Sequence, residues 1–231
     1  MKKYIFIITV VLTASFVIAP VAGSQEITSY TKQEHPFELH RFTLDNGFRV
    51  WCQPRPDSKS VVAFLVVRAG VRNENKSNNG ISHYLEHILF TGTDRWNEDE
   101  IKDMIDKRGG NWNGWTGTES TMYFAELSAQ DFEFAMDWLA EIVFHSTFPE
   151  DKVDKERNVV FQEKWGKYGW LINTGRRIFV SLGLGYDLWN TVERLVFPNS
   201  SLTLNYEWED EALDRIDRAT LLEYYSVIHS H

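Results

Sequence analysis

Three residues in the segment GISHYLEHILFTGT, positions 80–93, have the types and spacing of a catalytic metal site. His83 and His87 are four positions apart, and Glu86 lies between them. Each residue of a helix advances about 100°, so the two imidazoles lie about 40° apart on one face and can reach one ion. Glu86 projects close enough to contact a water on that ion without binding the ion itself. The spacing predicts a metal site with a base beside it; a histidine stripe on an ordinary amphipathic helix is the competing interpretation.

The residues around this trio favour the metal site. Apolar side chains cover the predicted helix nearly all round: Ile81, Tyr84, Leu85, Ile88, Leu89 and Phe90. Ionisable groups in apolar surroundings are costly unless they have partners, and one metal ion would satisfy all three.

A tetrahedral catalytic zinc needs a third protein ligand, and the segment VDKERNVVFQEKW at positions 153–165 offers one. On a helix, Glu156 and Glu163 fall within the same arc of about 120° as the apolar Val153 and Val160. The alternative is that both are solvated glutamates at the edge of an amphipathic face. Two imidazoles and a carboxylate suit zinc, and they also suit manganese or cobalt. The single cysteine, Cys52, excludes a thiolate cluster.

With its HxxEH pattern and later glutamate, the sequence resembles the pitrilysin, insulin-degrading enzyme and mitochondrial processing peptidase family of inverted-zincin metallopeptidases. The resemblance is strongest from Val61 to Glu163 and includes the stretches GGNWNGWT and TMYFAEL. It implies a Zn²⁺ cofactor and a role for each residue: His83, His87 and Glu163 as ligands, Glu86 as general base, and Glu156 as an acidic residue that supports the site.

The resemblance also implies a binding strand for peptide substrates. Asn113, Gly114, Trp115 and Thr116 correspond to an edge strand that pairs with the backbone of an extended peptide in that family. Gly114 stands where the family usually has alanine, and Trp112 and Trp115 add bulk. The implied activity is that of a zinc metalloendopeptidase, in which a zinc-bound water attacks the peptide bond.

The sequence pattern predicts the α+β fold class, an antiparallel sheet with helices packed on one side, resembling one half-domain of a pitrilysin-type peptidase. The DNG at positions 45–47 predicts a hairpin between two strands, and SVVAFLVVRAG supplies a third strand of this opening sheet. STMYFAELS alternates like a strand. Three further segments have helical patterns: NEDEIKDMIDKRG, AQDFEFAMDWLAEIVF and PEDKVDKERNVVFQEKWGKY.

Residues 1–23 are predicted to be a signal peptide. Lys2 and Lys3 precede an apolar run from Tyr4 to Ala19, and small residues follow it. A membrane anchor is the competing interpretation, but the run is near the short end of the roughly 20 residues that a spanning helix needs. We therefore expect an exported protein, periplasmic or extracellular, without a stable membrane anchor and beginning near Ser24.

Composition limits the remaining possibilities. The chain has 231 residues, enough for one sizeable core, and it contains no obvious repeat or linker. We expect residues 24–231 to form one pitrilysin-like N-terminal zinc-binding domain, incomplete at its C-terminal end. The formal net charge of −9 makes nucleic acid an improbable partner.

Three functional hypotheses remain at this level. Family enzymes generally build the cleft from two similar halves, and only the first half is matched here. The leading hypothesis is a zinc peptidase subunit that acts on peptides and is completed by a second-half subunit of the same family. The alternatives are an inactive zinc-binding structural or binding subunit, and a truncated gene product. Glu86 favours the peptidase, because a scaffold has no need of a base.

Overall fold

The computed structural model describes residues 8–10, 26–165, 192, 195–204 and 210–229. Most of the predicted signal peptide, including the expected cleavage point near Ser24, lies outside these residues. The end of the fourth helix pattern, beyond Trp165, also lies outside them. Within the described part of the chain, no helix combines the length and apolar character needed to cross a membrane.

An N-terminal sheet contains the predicted hairpin. Its strands are β1 (Ile8–Val10), β2 (Ile27–Gln33), β3 (Leu39–Leu44) and β4 (Arg49–Cys52), in the order β1-β4-β3-β2. Strands β2, β3 and β4 pair antiparallel, whereas β1 runs parallel to β4. The turn between β3 and β4 has Gly47 at φ 85°, a conformation that glycine adopts without strain. The hairpin prediction is therefore confirmed.

A second sheet carries the strand next to the predicted site. It consists of β5 (Ser60–Val67), β6 (Asn111–Thr116) and β7 (Thr121–Ser128), all antiparallel in the order β5-β7-β6. The expectation that SVVAFLVVRAG would extend the opening sheet is wrong for the described residues, because β5 pairs with β7. Alternation identifies a strand, but it does not identify the strand's partner. Among the strands that the structure describes, β6 lies at the edge of this sheet.

The structure describes helices α1 (Ile81–Ile88), α2 (Glu98–Asp106), α3 (Phe132–Phe144), α4 (Glu150–Trp165), α5 (Asp210–Arg215) and α6 (Arg218–His229). Helices α1, α2 and α3 pack against strands of the second sheet. Alternate residues of β5 are buried: Val61, Ala63, Leu65 and Val67. Helix α3 packs on β5 and β7, and α1 packs on β6, β7 and α4. The chain thus has the predicted α+β architecture.

The start of α1 is fixed by the buried carboxylate of Glu74. It accepts hydrogen bonds from the backbone N–H groups of Gly80, at 2.8 Å, and Ser82, at 2.9 Å, and from the side-chain amide of Asn79. These bonds satisfy donors that the first turn of a helix leaves unpaired, and they favour a negative charge at that end. Further along α1, the hydroxyl of Tyr84 donates to the carbonyl of Val153 on α4. Helix α1 is therefore held both at its beginning and against α4.

Candidate metal centre

Three side chains from α1 and α4 place their donor atoms at the corners of a nearly equilateral triangle. Nε2 of His83 and Nε2 of His87 are 3.3 Å apart. Oε2 of Glu163 lies 3.4 Å from the former and 3.3 Å from the latter. Ligands at roughly 2.0–2.1 Å around a tetrahedral zinc are separated by about 3.3 to 3.4 Å. The donor set therefore fits this ion in both element type and spacing.

The side chains predicted as ligands are thus brought together, although they come from two helices far apart in sequence. His83 and His87 lie one turn apart on α1, as the i, i+4 spacing predicted. Glu163 reaches them from α4. Within the described part of the chain, no other group of three such residues has the spacing to hold a metal. The individual roles of these residues remain predictions.

The carboxylate of Glu156 contacts Nδ1 of His87, the ring nitrogen that is not part of the donor triangle. Its Oε2 lies 3.4 Å from Nδ1 of His87, and the glutamate side chain is buried. A carboxylate at Nδ1 fixes the orientation of an imidazole and leaves Nε2 to bind a metal. This position agrees with the supporting role that the resemblance implied for Glu156.

Glu86 lies buried between α1 and β6. Its Oε2 accepts a hydrogen bond from the hydroxyl of Thr116 at 2.5 Å. Burial raises the pKa of Glu86 and the charge of Glu163 adds to this, although the Thr116 hydrogen bond and His87 oppose it. A carboxyl group whose pKa is raised towards neutral pH is suited to accept and return a proton.

The pKa values of the two imidazoles are shifted in opposite directions. Burial, and then the charge of His87, lower the pKa of His83 to about 4, so His83 is neutral at neutral pH and can offer a lone pair. Burial also disfavours the charged form of His87, but the hydrogen bond with Glu156 and the charges of Glu163 and Glu86 outweigh it and raise its pKa. Three carboxylates thus face at most one positive imidazole, which favours a bound cation.

These residues line a cavity of about 510 Å³, and the lining includes all the predicted site residues: His83, Glu86, His87, Asn113, Gly114, Trp115, Thr116, Glu156 and Glu163. The two tryptophans of β6 differ in their surroundings. Trp112 packs against Phe90, with ring centroids 4.9 Å apart, whereas Trp115 is 64% exposed. Of these two tryptophans, only Trp115 exposes most of its side chain for contact with a ligand. A larger cavity of about 810 Å³ near the start of α1 contains none of the predicted site residues.

Two features of the site do not follow from sequence reasoning. One is the role of Glu74 in fixing the start of α1. The other is the contact between Thr116 and Glu86, because Thr116 is predicted only as part of the substrate strand. An acidic residue shortly before a glycine-initiated helix would have been a weak signal for the first. No local signal marks the second, which joins residues from separate elements.

Part of the chain matches a family of known proteins. Residues 49–167, just over half of the chain, match the family described as insulinase (peptidase family M16). The chain is 39% identical over 125 residues to the uncharacterized zinc protease YmxG of Bacillus subtilis (strain 168), an alignment that covers 54% of this chain and 31% of that protein. It is 36% identical over 121 residues to the probable mitochondrial-processing peptidase subunit beta of Arabidopsis thaliana, covering 52% and 23%.

The subunit beta of Rattus norvegicus is equally similar, at 36% identity over 120 residues, covering 52% of this chain and 24% of that protein. The chain therefore spans less than a third of the length of each of these relatives. The matched part contains the two helices and the strand that form the candidate metal centre.

Proposed function

Because the chain belongs to the insulinase family (peptidase family M16), as its resemblance predicted, we propose that it is the zinc-binding part of an endopeptidase that hydrolyses extended peptides. The observation that carries this proposal is the triangle of donor atoms from His83, His87 and Glu163, with the carboxylate of Glu86 beside it. Glu86 separates this proposal from a purely structural metal site, which needs ligands but no base.

Each residue of the site has a separate role in the proposed reaction. A zinc ion held by the three donors would lower the pKa of a water and polarise the scissile carbonyl. Glu86 accepts a proton from the attacking water and passes it to the leaving amine. Glu156 keeps the ring of His87 oriented through Nδ1. Glu74 holds the helix that carries both histidines and the base.

The substrate would bind along β6. This strand lies at the edge of its sheet among the described residues, and its segment Asn113–Thr116 lines the cavity. An extended peptide can pair with such an edge through backbone hydrogen bonds, while pockets for alternate side chains supply selectivity. The exposed ring of Trp115 would contact substrate side chains or a partner.

We further propose that a second-half subunit of the same family completes the cleft. The Glu163 side chain is 51% exposed, so the described residues leave the cavity open beside the donor triangle. Two relatives are named as subunits of a processing peptidase, which supports assembly with another chain. Misplacement of a substrate by about 1 Å can cost on the order of 100-fold in rate. We therefore expect the chain alone to cleave peptides slowly.

Hydrolysis of unstructured peptides tests the proposed function. The zinc-loaded full chain is incubated with a mixed pool of peptides of roughly 10 to 40 residues, a range chosen for extended binding, alone and with a candidate second-half protein. We expect turnover in the mixture, and loss of about 100-fold or more on Glu86→Gln. Glu133→Gln, on the exposed surface of α3, is the matched control.

The outcomes separate the alternatives. Fast turnover by the chain alone, abolished by Glu86→Gln, would remove the need for a partner. Absence of turnover in every mixture, with zinc bound, would favour the inactive binding subunit or the truncated product.

We also propose that the protein is exported to the periplasm or the extracellular space after removal of residues 1–23. The support is the charged start and apolar run of the sequence. Removal would take β1 away from the edge of β4, so the mature N-terminal sheet would consist of β2, β3 and β4. Intact-mass measurement of exported protein should give a chain that begins near Ser24. A mature chain that retains residues 1–19 would favour an anchor instead.

A further inference from the structure

The described lining of the cavity around the donor triangle contains one lysine and no arginine. The lysine is Lys102 of α2, and the acidic lining residues are Glu74, Glu86, Glu156 and Glu163. The reaction proposed above uses the donor triangle, Glu86 and Glu156, but it assigns no task to a lysine. An ammonium group in the wall of a peptide-binding cavity can bind a carboxylate of the substrate through a charge-assisted hydrogen bond.

Helix α2 presents Lys102 on the face that Trp112 contacts. Lys102 and Asp106 are four residues apart on α2 and therefore share one face of this helix. Nε1 of Trp112 donates a hydrogen bond to Oδ1 of Asp106 at 3.2 Å, which places the indole on that face. The indole also packs against Phe90, and both rings line the cavity. Lys102 therefore borders a part of the cavity that has aromatic walls.

The ammonium group of Lys102 has hydrogen-bonding capacity left for a ligand. It donates to Oε1 of Glu98 at 2.6 Å, and Glu98 is its only hydrogen-bond partner among the residues that the structure describes. Lys152 and Lys155 also pair with Glu98, so one carboxylate faces three ammonium groups. A lysine carries three N–H donors. Lys102 thus retains donors and part of its positive charge, and its side chain is 37% exposed.

The alternation of β6 relates this part of the cavity to the proposed cleavage point. Trp112 and Thr116 share one face of β6, and the hydroxyl of Thr116 donates to Glu86, the proposed base. A strand rises about 3.3 Å per residue, so Trp112 lies roughly 13 Å along the strand from Thr116. A peptide paired with β6 advances at the same rate. A side chain that reaches Lys102 would therefore belong to a residue within about four positions of the cleaved bond.

We propose that Lys102 is a specificity-determining residue that binds the carboxylate of a substrate aspartate or glutamate close to the cleaved bond. Phe90 and Trp112 provide apolar walls for the methylene groups of that side chain, and the ammonium group binds its charged end. This inference rests on the proposed function, in which extended peptides bind along β6. It adds a preference for acidic over basic side chains at one position of the substrate.

Cleavage of a matched set of peptides measures this preference. A peptide that the zinc-loaded full chain and its second-half protein cleave once is amidated at its C-terminus, and Glu, Gln or Lys is placed in turn at each of about four positions on either side of the cleaved bond. We expect one position at which kcat/KM for Glu exceeds that for Gln by about 10-fold, because charge-assisted hydrogen bonds are the stronger ones. Lys should be the poorest residue there, since like charges repel.

Substitution of Lys102 should remove the preference. In Lys102→Met, which keeps an apolar stem without the charge, the ratio of kcat/KM for Glu to that for Gln should fall to about 1. Lys102→Arg should still prefer Glu. Zinc content should stay at the parent value in both variants, and thermal unfolding checks that each is folded. An unchanged ratio in Lys102→Met would overturn the inference.

A matched control follows the same helix. Lys107 also pairs with an acid four residues earlier, Asp103 at 2.8 Å, but it does not line the cavity. Lys107→Met should therefore keep the preference for Glu. Loss of the preference in Lys107→Met as well as in Lys102→Met would show a general effect of charge and would contradict a specific contact.

Binding can be measured without turnover. The zinc-loaded full chain with Glu86→Gln is titrated with labelled Glu, Gln and Lys peptides, alone and with the second-half protein. We expect a Kd about 10-fold lower for the Glu peptide than for the Gln peptide, and loss of this difference when Lys102→Met is added. Equal affinities for the three peptides, or no detectable binding, would overturn the inference.

The two proposals fail in different ways. If the parent chain hydrolyses no peptide in any mixture, the proposed function fails, and the binding measurement alone decides the role of Lys102. If turnover depends on Glu86 but Glu and Gln peptides are cleaved equally well at every tested position, the proposed function stands and this inference fails.

Discussion

Helix α4 borders two groups of charged side chains that balance their charges in opposite ways. The first, which we call the lysine cluster, surrounds the carboxylate of Glu98 with Lys102 at 2.6 Å, Lys152 at 2.9 Å and Lys155 at 3.0 Å. Burial raises the pKa of Glu98, but the hydrogen bonds from the lysines outweigh it and lower the pKa to about 2. The chain itself therefore compensates this charge.

The second group is the candidate metal centre. Its carboxylates, Glu86, Glu156 and Glu163, face His87 and a His83 whose pKa of about 4 leaves it neutral. The only described lysine in an ion pair with them is Lys155, which lies 3.7 Å from Glu156. Two of these carboxylates, Glu86 and Glu156, are buried, and neighbouring buried carboxylates are costly unless a cation joins them. The lysine cluster therefore compensates its carboxylate with side chains of the chain itself, whereas the arrangement of the candidate metal centre favours a bound cation.

Removal of the metal should have the largest effect on stability. Zinc binds the folded site, so at a free concentration 1,000-fold above Kd it should stabilise the chain by about 4 kcal/mol. Thermal unfolding with and without a chelator measures this difference. Glu98→Gln should respond to zinc as the parent does, whereas His87→Ala should not respond. An equal response in His87→Ala would contradict the assigned site.

Substitution of Glu98 should have an intermediate effect. Glu98→Gln leaves three lysines around a side chain that is only 10% exposed, and we expect a loss of about 2 to 3 kcal/mol, somewhat below the cost of breaking a fully buried pair. Chemical denaturation measures the loss, with Glu133→Gln as an exposed control. The zinc content should stay at the parent value. Loss of zinc in Glu98→Gln would show that the two groups are not independent.

Lys155 forms ion pairs with carboxylates of both groups, Glu98 and Glu156, and its substitution should have the smallest effect. Lys155→Met removes one of three cations from Glu98, and the lysine is half exposed, so we expect a loss of at most about 1 kcal/mol. Lys102 and Lys152 retain the compensation of Glu98. If Lys155→Met changed the zinc affinity by more than about 10-fold, Lys155 would couple the two groups. That result would contradict their independence.

Local periodicity was sufficient to predict much of the metal centre. The i, i+4 spacing predicted that His83 and His87 share a face, and the helical projection placed Glu156 and Glu163 on one side of α4. The contact between α1 and α4 depends on tertiary interactions, such as the hydrogen bond from the Tyr84 hydroxyl to the carbonyl of Val153. Family resemblance, and not the pattern alone, supplied Glu163 as the partner of the histidines.

The parts of the fold that were missed are contacts between distant segments. The pairing of β5 with β7 joins strands on either side of two helices, and nothing in β5 alone identifies that partner. Lys102 lies four residues after Glu98, so this ion pair can be predicted from the sequence. Lys152 and Lys155 belong to another helix, α4, and their contacts with Glu98 cannot be predicted in this way. The contact of Gly114 with Glu86 likewise requires the close approach of β6 to α1.

We propose that His83, His87 and Glu163 bind zinc and that Glu86 does not. Elemental analysis of the purified full chain and its variants tests this claim directly. We expect about one zinc per chain in the parent, a value largely retained in Glu86→Gln and lost in His87→Ala and Glu163→Gln, because a base moves protons and does not hold the ion. Loss of zinc from Glu86→Gln, with retention in Glu163→Gln, would contradict the assignment of ligand and base.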